Sequence, residues 1–422
     1  MAKSKISMAE LKKLTSNKSF VPQTSSLKPG DKGDDAKRLQ EYLTKFGYIE
    51  SPATEGFELV SSRVAAPPEH EGNFDKNTER ALSRFQKFNG LKATGKMDKA
   101  TLALMSRPRC GFPDTAEFVL EGRKWTKTAL TYSYSSFTPD LSQAQVRSAL
   151  TQAFNLWAAV TPLTFAEVSS GADIVIRFVG GNHGDGSAFD GPSGVLAHAF
   201  YPPPNGGDIA GDVHFDEAET WSVNLPPSGI DLVTVAGHEI GHALGLAHSN
   251  VNGALMFAFY GGAHRKLESD DIAGIQAIYG AVNRQSDWRW CSKCQGLHFG
   301  GNAAGPCPAG GKHVKAGSGN YSLAHNSPAA PGQSNWRWCS KCTGLHFGGN
   351  PPGPCPAGGK HIKTGSGNYT LAHNSPAAPG QSDWRWCSKC QGLHFGGNPP
   401  GPCPAGGKHI KTGSGNYTLF FI

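Results

Sequence analysis

The eleven residues from His238 to His248, HEIGHALGLAH, restrict the fold of this chain more than any other feature. His238 and His242 lie four residues apart, so on a helix they project from one face. Gly245, free of a Cβ, lets the chain turn sharply and brings His248 round to the same side. Three imidazoles arranged in this way can hold one zinc ion and leave its fourth position open, the mark of a catalytic rather than a structural site. Glu239 sits beside the first ligand, where a carboxylate can take a proton from water and later deliver it to a leaving amine. The bare five-residue pattern arises often by chance; Gly245, His248 and the downstream Met256 make it specific. The bland alternative is a buried amphipathic helix with incidental histidines.

A chain of 422 residues with 38% hydrophobic content is expected to form two or more domains. No stretch is apolar enough to span a membrane, and the opening MAKSKISMAELKKLTSNKSF lacks the continuous apolar core of a secretory signal. Residues 283–422 hold 13 Lys or Arg against Asp287 and Asp383, a net +11, which leaves −4 for the rest of a chain whose total is +7. Self-comparison explains this asymmetry: Trp288, Trp336 and Trp384 open three nearly identical copies 48 residues apart, joined by polar, Pro/Gly-rich linkers.

The expected organisation is a flexible segment at 1–27, a small all-α unit at 28–107, a short connecting segment at 108–114, an α+β domain at 115–281, and cysteine-rich β or irregular repeats at 282–422 (about 285–332, 333–380 and 381–422). The helical unit shows helical apolar spacing in AKRLQEYLTKFGYI, NTERALSRFQKFNGL and KATLALM, with an irregular insert near 57–72. The α+β domain mixes strand-like ALTYSY and ADIVIRFV with helical SQAQVRSALTQAFNLWAAV and DLVTVAGHEIGHALGLAH.

From about residue 30 to residue 280 the chain resembles the matrixins, the matrix metalloproteinase branch of the metzincins, on HEIGHALGLAH, Met256 and the segment PRCGFPD at 108–114. The resemblance implies a latent zinc endopeptidase acting on proteins, with a twisted, mostly parallel sheet flanked by helices. It also implies an extracellular or secreted location. Met256 matches the family's turn methionine beneath the zinc, and Tyr260 matches a residue lining the pocket for the side chain after the cut bond. The usual Tyr-Pro after that methionine is here Phe257-Ala258, so the pocket wall is expected to be reshaped. Val195, Leu196 and Ala197 lie where such enzymes present a strand edge to which an extended peptide can add.

A second cluster supplies His183, Asp185, His198 and His214, three nitrogens and one carboxylate with no position left for water, which reads as structural zinc. Asp190, Asp216 and Glu219 are hard oxygen donors among glycines, as calcium prefers; solvated surface acids are the alternative. In the resembling family these positions hold zinc and calcium, and Asp173 is similar to a further calcium ligand. Three residues beyond the family's usual spacing fall around Pro202 to Ile209.

Cys110 is the only cysteine before residue 291, and its thiolate could fill the open zinc position. PRCGFPD resembles the family's cysteine switch, which implies that Arg109 and Asp114 brace it as an ion pair. It further implies that removal of residues before roughly Phe118 frees the zinc. A new amino terminus would then pair with Asp270 or Asp271, in LESDDIAGIQAIYG. The helical unit resembles both the matrixin prodomain and the peptidoglycan-binding domain, so inhibition is its expected role, with cell-wall attachment as the other reading.

Each C-terminal copy runs C-x2-C-x12-C-x5-H: Cys291, Cys294, Cys307 and His313; Cys339, Cys342, Cys355 and His361; Cys387, Cys390, Cys403 and His409. Three thiolates and an imidazole complete a zinc shell, with His298, His346 and His394 as competing ligands. Disulfides between copies, in a threefold β-rich domain, are the rival. The copies' aromatic and basic residues suit a polysaccharide or cell-surface ligand, nucleic acid being disfavoured, or else are merely core and solvated surface. A binding protein on a retired protease scaffold is the alternative function, and nothing in the sequence sets the oligomeric state.

Overall fold

The computed structural model describes residues 20–50, 65–114, 124–204, 207–327, 330, 332–374 and 380–421. Most of the 1–27 segment, the first part of the 57–72 insert, the neighbourhood of Phe118 and parts of the linkers between repeats therefore lie outside the described residues. The chain divides into two units, residues 1–157 with 167–278, and residues 158–166 with 279–422.

The first unit holds helices α1 (Asp34–Lys45), α2 (Lys76–Phe88) and α3 (Lys99–Met105), of which α2 and α3 start at capping carboxylates. The Asp75 and Asp98 carboxylates accept from the Thr78 and Thr101 amides, each at 2.8 Å, satisfying backbone donors a helix start leaves free. The loops between helices are tied to two buried amides. Gln40 bridges Gly72 N and Asn73 O; Gln86 bridges Thr94 N, Gly95 N and Lys96 O.

Strand β1 (Arg109–Cys110) leads into β2 (Ala129–Tyr134), helix α4 (Gln143–Ala158), β3 (Thr164–Glu167), β4 (Ile174–Val179), β5 (Val195–Ala199) and β6 (Val213–Asp216). Five of these strands run in the order β1-β5-β6-β4-β2, parallel except for the β5–β6 pair. Short strands β7 (Trp221–Ser222) and β8 (Ile230–Asp231) precede α5 (Leu232–Ala243), and α6 (Ser269–Tyr279) ends the unit. The mostly parallel sheet matches expectation. The helical part and the sheet part share a core within the first unit: β1 belongs to the sheet, and one apolar cluster runs from Tyr42, Phe46 and Phe85 to Val195, Phe257 and Phe259.

All twelve residues of α5 are buried. Asp231 caps it, accepting from Thr234 N at 3.0 Å and Thr234 Oγ1 at 2.6 Å, and pairs with Arg265. The helix ends at Leu244, and Gly245 takes the left-handed φ of 105° that the turn to His248 requires.

The second unit begins earlier than residue 282, because Val282 N and Arg284 Nε reach back to the carbonyls of Val160 and Ala159. Each copy contributes a hairpin and one further strand: β9 (Arg284–Trp290), β10 (Leu297–Phe299) and β11 (Tyr321–His325); β12 (Gln333–Trp338), β13 (Leu345–Phe347) and β14 (Tyr369–His373); β15 (Gln381–Trp386), β16 (Leu393–Phe395) and β17 (Tyr417–Phe421). The three third strands pair with one another, β11 with β14, β14 with β17 and β17 with β11, so the array closes on itself. Trp288, Trp336 and Trp384 are fully buried in the shared core, edge-on to Tyr369, Tyr417 and Tyr321 respectively, each tyrosine coming from another copy.

A Cβ at Gly241 would lie 2.3 Å from Met256 Sδ and 2.9 Å from Trp157. Gly241→Ala should therefore destabilise the first unit by about 1–3 kcal/mol, the usual cost of overpacking a core. Urea denaturation at saturating zinc measures this; a variant as stable as the parent contradicts the close packing.

Candidate metal centre and the segment that covers it

Helix α5 aims His238 and His242 at one point, and the Gly245 turn adds His248. The Nδ1 atoms of His238 and His242 each donate to a backbone carbonyl, those of Leu255 and Leu246, at 2.7 Å. These bonds fix the tautomer, leaving bare lone pairs on Nε2. Yet the Nε2 of His238 lies 3.1 Å from that of His242 and 3.2 Å from that of His248. Two lone pairs held face to face repel unless a cation sits between them, and nitrogens about 2.0–2.1 Å from a tetrahedral zinc are separated by roughly this distance. Burial pushes His238 down to about 3, so protonation does not supply the missing charge. These residues fit zinc.

Cys110 completes the group, its Sγ lying with the three histidine nitrogens inside a sphere of ligand-like size. Its Sγ is also 3.4 Å from Glu239 Oε2. Burial, with the Glu239 charge adding to it, pushes this thiol well up. Burial likewise lifts the Glu239 carboxyl to about 8, its contact with Cys110 acting the other way. Glu239 Oε1 has no protein partner among the described residues. A dication here would draw both groups towards their anions.

Cys110 is delivered by the β1 segment. Arg109 N donates to Gly194 O, Gly111 N to Ala197 O, Cys110 N to Ala258 O, and Tyr260 N to Pro108 O, all between 2.8 and 3.0 Å. The segment thus occupies both walls of a cleft between β5 and residues 254–260. Val195, Leu196 and Ala197 lie on β5, and β1 pairs in parallel with its outer side. Phe112 stacks on the His242 ring at 4.2 Å.

The brace behind the segment is an ion pair between Arg109, 2% exposed, and Asp114, fully buried. The Arg109 guanidinium lies 3.5 Å over the Phe46 ring, and Asp114 also accepts from Tyr48 Oη at 2.9 Å and contacts His248 Nδ1 at 2.9 Å. Burial opposes ionisation of Asp114, but Arg109 and His248 together hold its carboxyl below the usual range. Tyr48 and Phe46 are distant in sequence from PRCGFPD, and no local pattern signals their part in this brace.

Beside the three histidines a cavity of about 320 Å³ is lined by Leu196, Val235, Phe257, Ala258, Phe259 and Tyr260, with Arg107 at its rim. Tyr260 Oη accepts from Asp231 N at 2.9 Å, tying this wall to the start of α5. Met256 is buried beneath the site, and Asp271 holds its turn by accepting from Leu255 N and Met256 N. Asp271 is therefore committed, whereas Asp270 is exposed and accepts from the Ser249 hydroxyl.

His183, Asp185, His198 and His214 come together as expected. His198 and His214 stand directly opposite on β5 and β6, and Asp185 Oδ2 lies 2.6–2.8 Å from all three rings. Four buried or half-buried donors leave no open position, which suits structural zinc.

The acids read as calcium donors fall in two places. Asp190 and Glu219 brace the turn before β5 through Val195 N at 2.7 Å and Ser193 N at 2.6 Å. Asp216 presents a buried Oδ2 with no protein partner among the described residues, and burial together with the Asp190 charge pushes its carboxyl up, as a cation would reverse. Asp173, read as a further calcium ligand, lies apart from them. It precedes β4 at the opposite end from Val179, the partner of Asp216, and its carboxylate is held by Lys127 at 2.7 Å and by Thr131. Sequence reasoning missed Asp212, a carboxylate 7% exposed that accepts from Val175 N and is pushed by burial up to about 6. Its position two residues before His214, in GDVHFDE, was the available signal.

In the second unit the twelve repeat residues form three buried groups, and His298, His346 and His394 stack on the histidine of each group without being among its donors.

Residues 124–280 match the family model for matrixins, and residues 32–105 match that for a putative peptidoglycan binding domain. The chain is 47% identical over 251 residues to interstitial collagenase of Equus caballus, covering 58% of this chain and 50% of that protein. It is 53% identical over 216 residues to interstitial collagenase of Bos taurus (50% and 45%). Neutrophil collagenase of Homo sapiens is 44% identical over 255 residues (59% and 51%). The chain thus spans about half the length of the curated relatives it matches.

Asp114→Ala would leave the Arg109 guanidinium buried and unpaired, a change that typically costs about 3–5 kcal/mol. Hydrogen exchange at Arg109–Gly111, whose amides donate to Gly194, Ala258 and Ala197, should accelerate at least 100-fold. Unchanged protection there would show that the ion pair does not hold the segment.

Proposed function

We propose that this chain, whose residues 124–280 are a matrixin domain, is a zinc-dependent endopeptidase held latent by its own Cys110 segment and acting on internal peptide bonds of proteins. The observation that carries this reading is the meeting of Cys110 Sγ, Glu239 Oε2 and three convergent imidazoles at one buried point. A retired scaffold would have no need to keep the carboxylate aligned with the cysteine that blocks it.

Zinc bound by His238, His242 and His248 would supply a Lewis acid that polarises a carbonyl and lowers the pKa of water. Glu239 is the base: it takes the proton from the attacking water and passes it to the leaving amine. The Gly194 and Ala197 carbonyls, which now accept from the Cys110 segment, are the groups a substrate backbone would use along β5. The side chain after the cut bond would enter the cavity lined by Leu196, Val235, Phe257 and Tyr260, whose apolar walls favour a large apolar residue. His183, Asp185, His198 and His214 would hold a second, structural zinc, and Asp190, Asp216 and Glu219 a calcium near the turn before β5.

Latency follows from occupancy. Substrate and Cys110 compete for the same strand edge and the same zinc position, so the segment must leave before a peptide can bind. A new amino terminus near Phe118 has exposed Asp270 as its partner, since Asp271 is committed to the methionine turn. The packing of Phe85 on Phe259 and of Phe46 on Arg109 supports an inhibitory role for the helical unit over cell-wall attachment. By likeness to the collagenases we place the protein outside the cell; no described helix is long and apolar enough to cross a membrane. For the C-terminal array, basic and aromatic, we propose a polysaccharide or cell-surface ligand that localises the enzyme.

Glu239→Ala should lower kcat/KM on casein or gelatin by about 10²–10⁴-fold after mercurial activation, with zinc content unchanged. Cys110→Ser should hydrolyse the same substrates without mercurial, and a chelator should abolish both activities. Hydrolysis that survives Glu239→Ala would falsify the assignment.

A further inference from the structure

The nine cysteines of the second unit are all buried and all free, although none is more than a few ångströms from another. Cys291 Sγ and Cys307 Sγ are 3.9 Å apart, and Cys294 Sγ lies 3.6 Å from His313 Nδ1. The second copy repeats these separations at 3.9 and 3.5 Å, and the third at 4.0 and 3.6 Å. A disulfide needs about 2.05 Å between sulfurs. Thiolates about 2.3 Å and an imidazole nitrogen about 2.0–2.1 Å from a shared tetrahedral zinc stand roughly 3.8 Å (S to S) and 3.6 Å (S to N) apart. The spacings are thus those of a metal shell, three times over.

The surroundings agree. The backbone amides of Val314, Ile362 and Gly392 lie 3.4 Å from Cys291, Cys339 and Cys390 sulfurs, as donors to thiolates do. His298, His346 and His394 pack flat on His313, His361 and His409 at 4.6–4.7 Å, fixing the ring of each ligand. The donor sets leave no open position, so any ion held here is structural.

We propose that residues 284–421 carry three structural zinc sites, each closed by three cysteines and one histidine of a single copy, and that these ions lock the copies into a ring. The locking follows from the loop leading to each histidine. His313 N donates to Gly305 O, and Gly305 lies so close to Cys342 that a Cβ would come within 2.4 Å of its backbone. Gly353 meets Cys390 in the same way, and Gly401 returns to Cys294. Each site therefore shapes the loop that covers the Cys-x-x-Cys turn of the next, and the third covers the first.

The test uses the full chain in a Cys110→Ser background, so that thiolate ligation can come only from the repeats. Zinc per chain is measured by mass spectrometry for the parent, for Cys294→Ser, and for the combined Cys294→Ser, Cys342→Ser, Cys390→Ser variant. Zinc should fall by one and by three. Cobalt-exchanged parent should show thiolate-to-cobalt charge-transfer absorption that the combined variant lacks. Should the serine variants fold poorly, His313→Cys should keep its zinc where His313→Ala loses one. Alkylation of the denatured, unreduced parent should label all nine remaining cysteines. Fewer labelled thiols, or zinc content that the substitutions do not change, would overturn the proposal. Peptide hydrolysis by the first unit is measured separately and is not needed for either outcome.

Discussion

The organisation of the first unit depends on three neutral imidazoles whose lone pairs are forced together. His238 and His242 cannot turn away, because their other nitrogens are bonded to Leu255 and Leu246 carbonyls. Burial makes protonation costly, so the arrangement is stable only around a cation. Much of the neighbouring structure serves this convergence. Asp231 sets the start of α5, Gly245 sets its end, and Asp271 pins the methionine turn that closes the floor. A metal-dependent core of this kind couples folding to ion binding, since the electrostatic strain it contains is relieved only by the ion.

In the proposed latent form, that strain makes a cysteine an effective cover. A thiolate brings both a ligand and a negative charge, and the Arg109–Asp114 pair makes its approach geometrically single-valued. The brace is itself buried and so has little worth as a free-standing ion pair. Its worth lies in specificity: Arg109 is surrounded by Phe46, Tyr42 and Phe259, and Asp114 is the carboxylate that answers its charge. The helical unit therefore recognises the sheet unit through a charge that would be intolerable there without its partner.

The parts of this design visible in the sequence are those carried by short spacings. HEIGHALGLAH announces three convergent imidazoles and a neighbouring carboxylate because helical geometry converts a four-residue interval directly into a shared face. The two clusters with glycine-rich or repeated spacing, His183 to His214 and the twelve repeat residues, were legible for a related reason: ligands borne on short loops or adjacent strands leave a compact signature. Contacts made across the fold left none. Tyr48 and Phe46 reach Asp114 and Arg109 from another helix-bearing segment, and Asp212 looks like any surface acid until β4 and β6 bury it. Asp173, a further calcium ligand by resemblance, lies at the end of β4 away from Asp216, and nothing in its local sequence signals that Lys127 pairs with its carboxylate. Between His298 and His313 the sequence could not choose, because both sit within reach of the cysteines and only packing decides which ring points inward.

The closed pairing of β11, β14 and β17 bears on how this chain can change over time. Near-identical copies in tandem invite recombination that adds or deletes one, and open solenoids tolerate such events because each copy touches only its neighbours. Here the last copy seats on the first. A fourth would have to break the Gly401–Cys294 and Tyr321–Trp384 contacts, and the loss of one would leave a core tryptophan facing solvent. Copy number in this ring is thus held at three by packing.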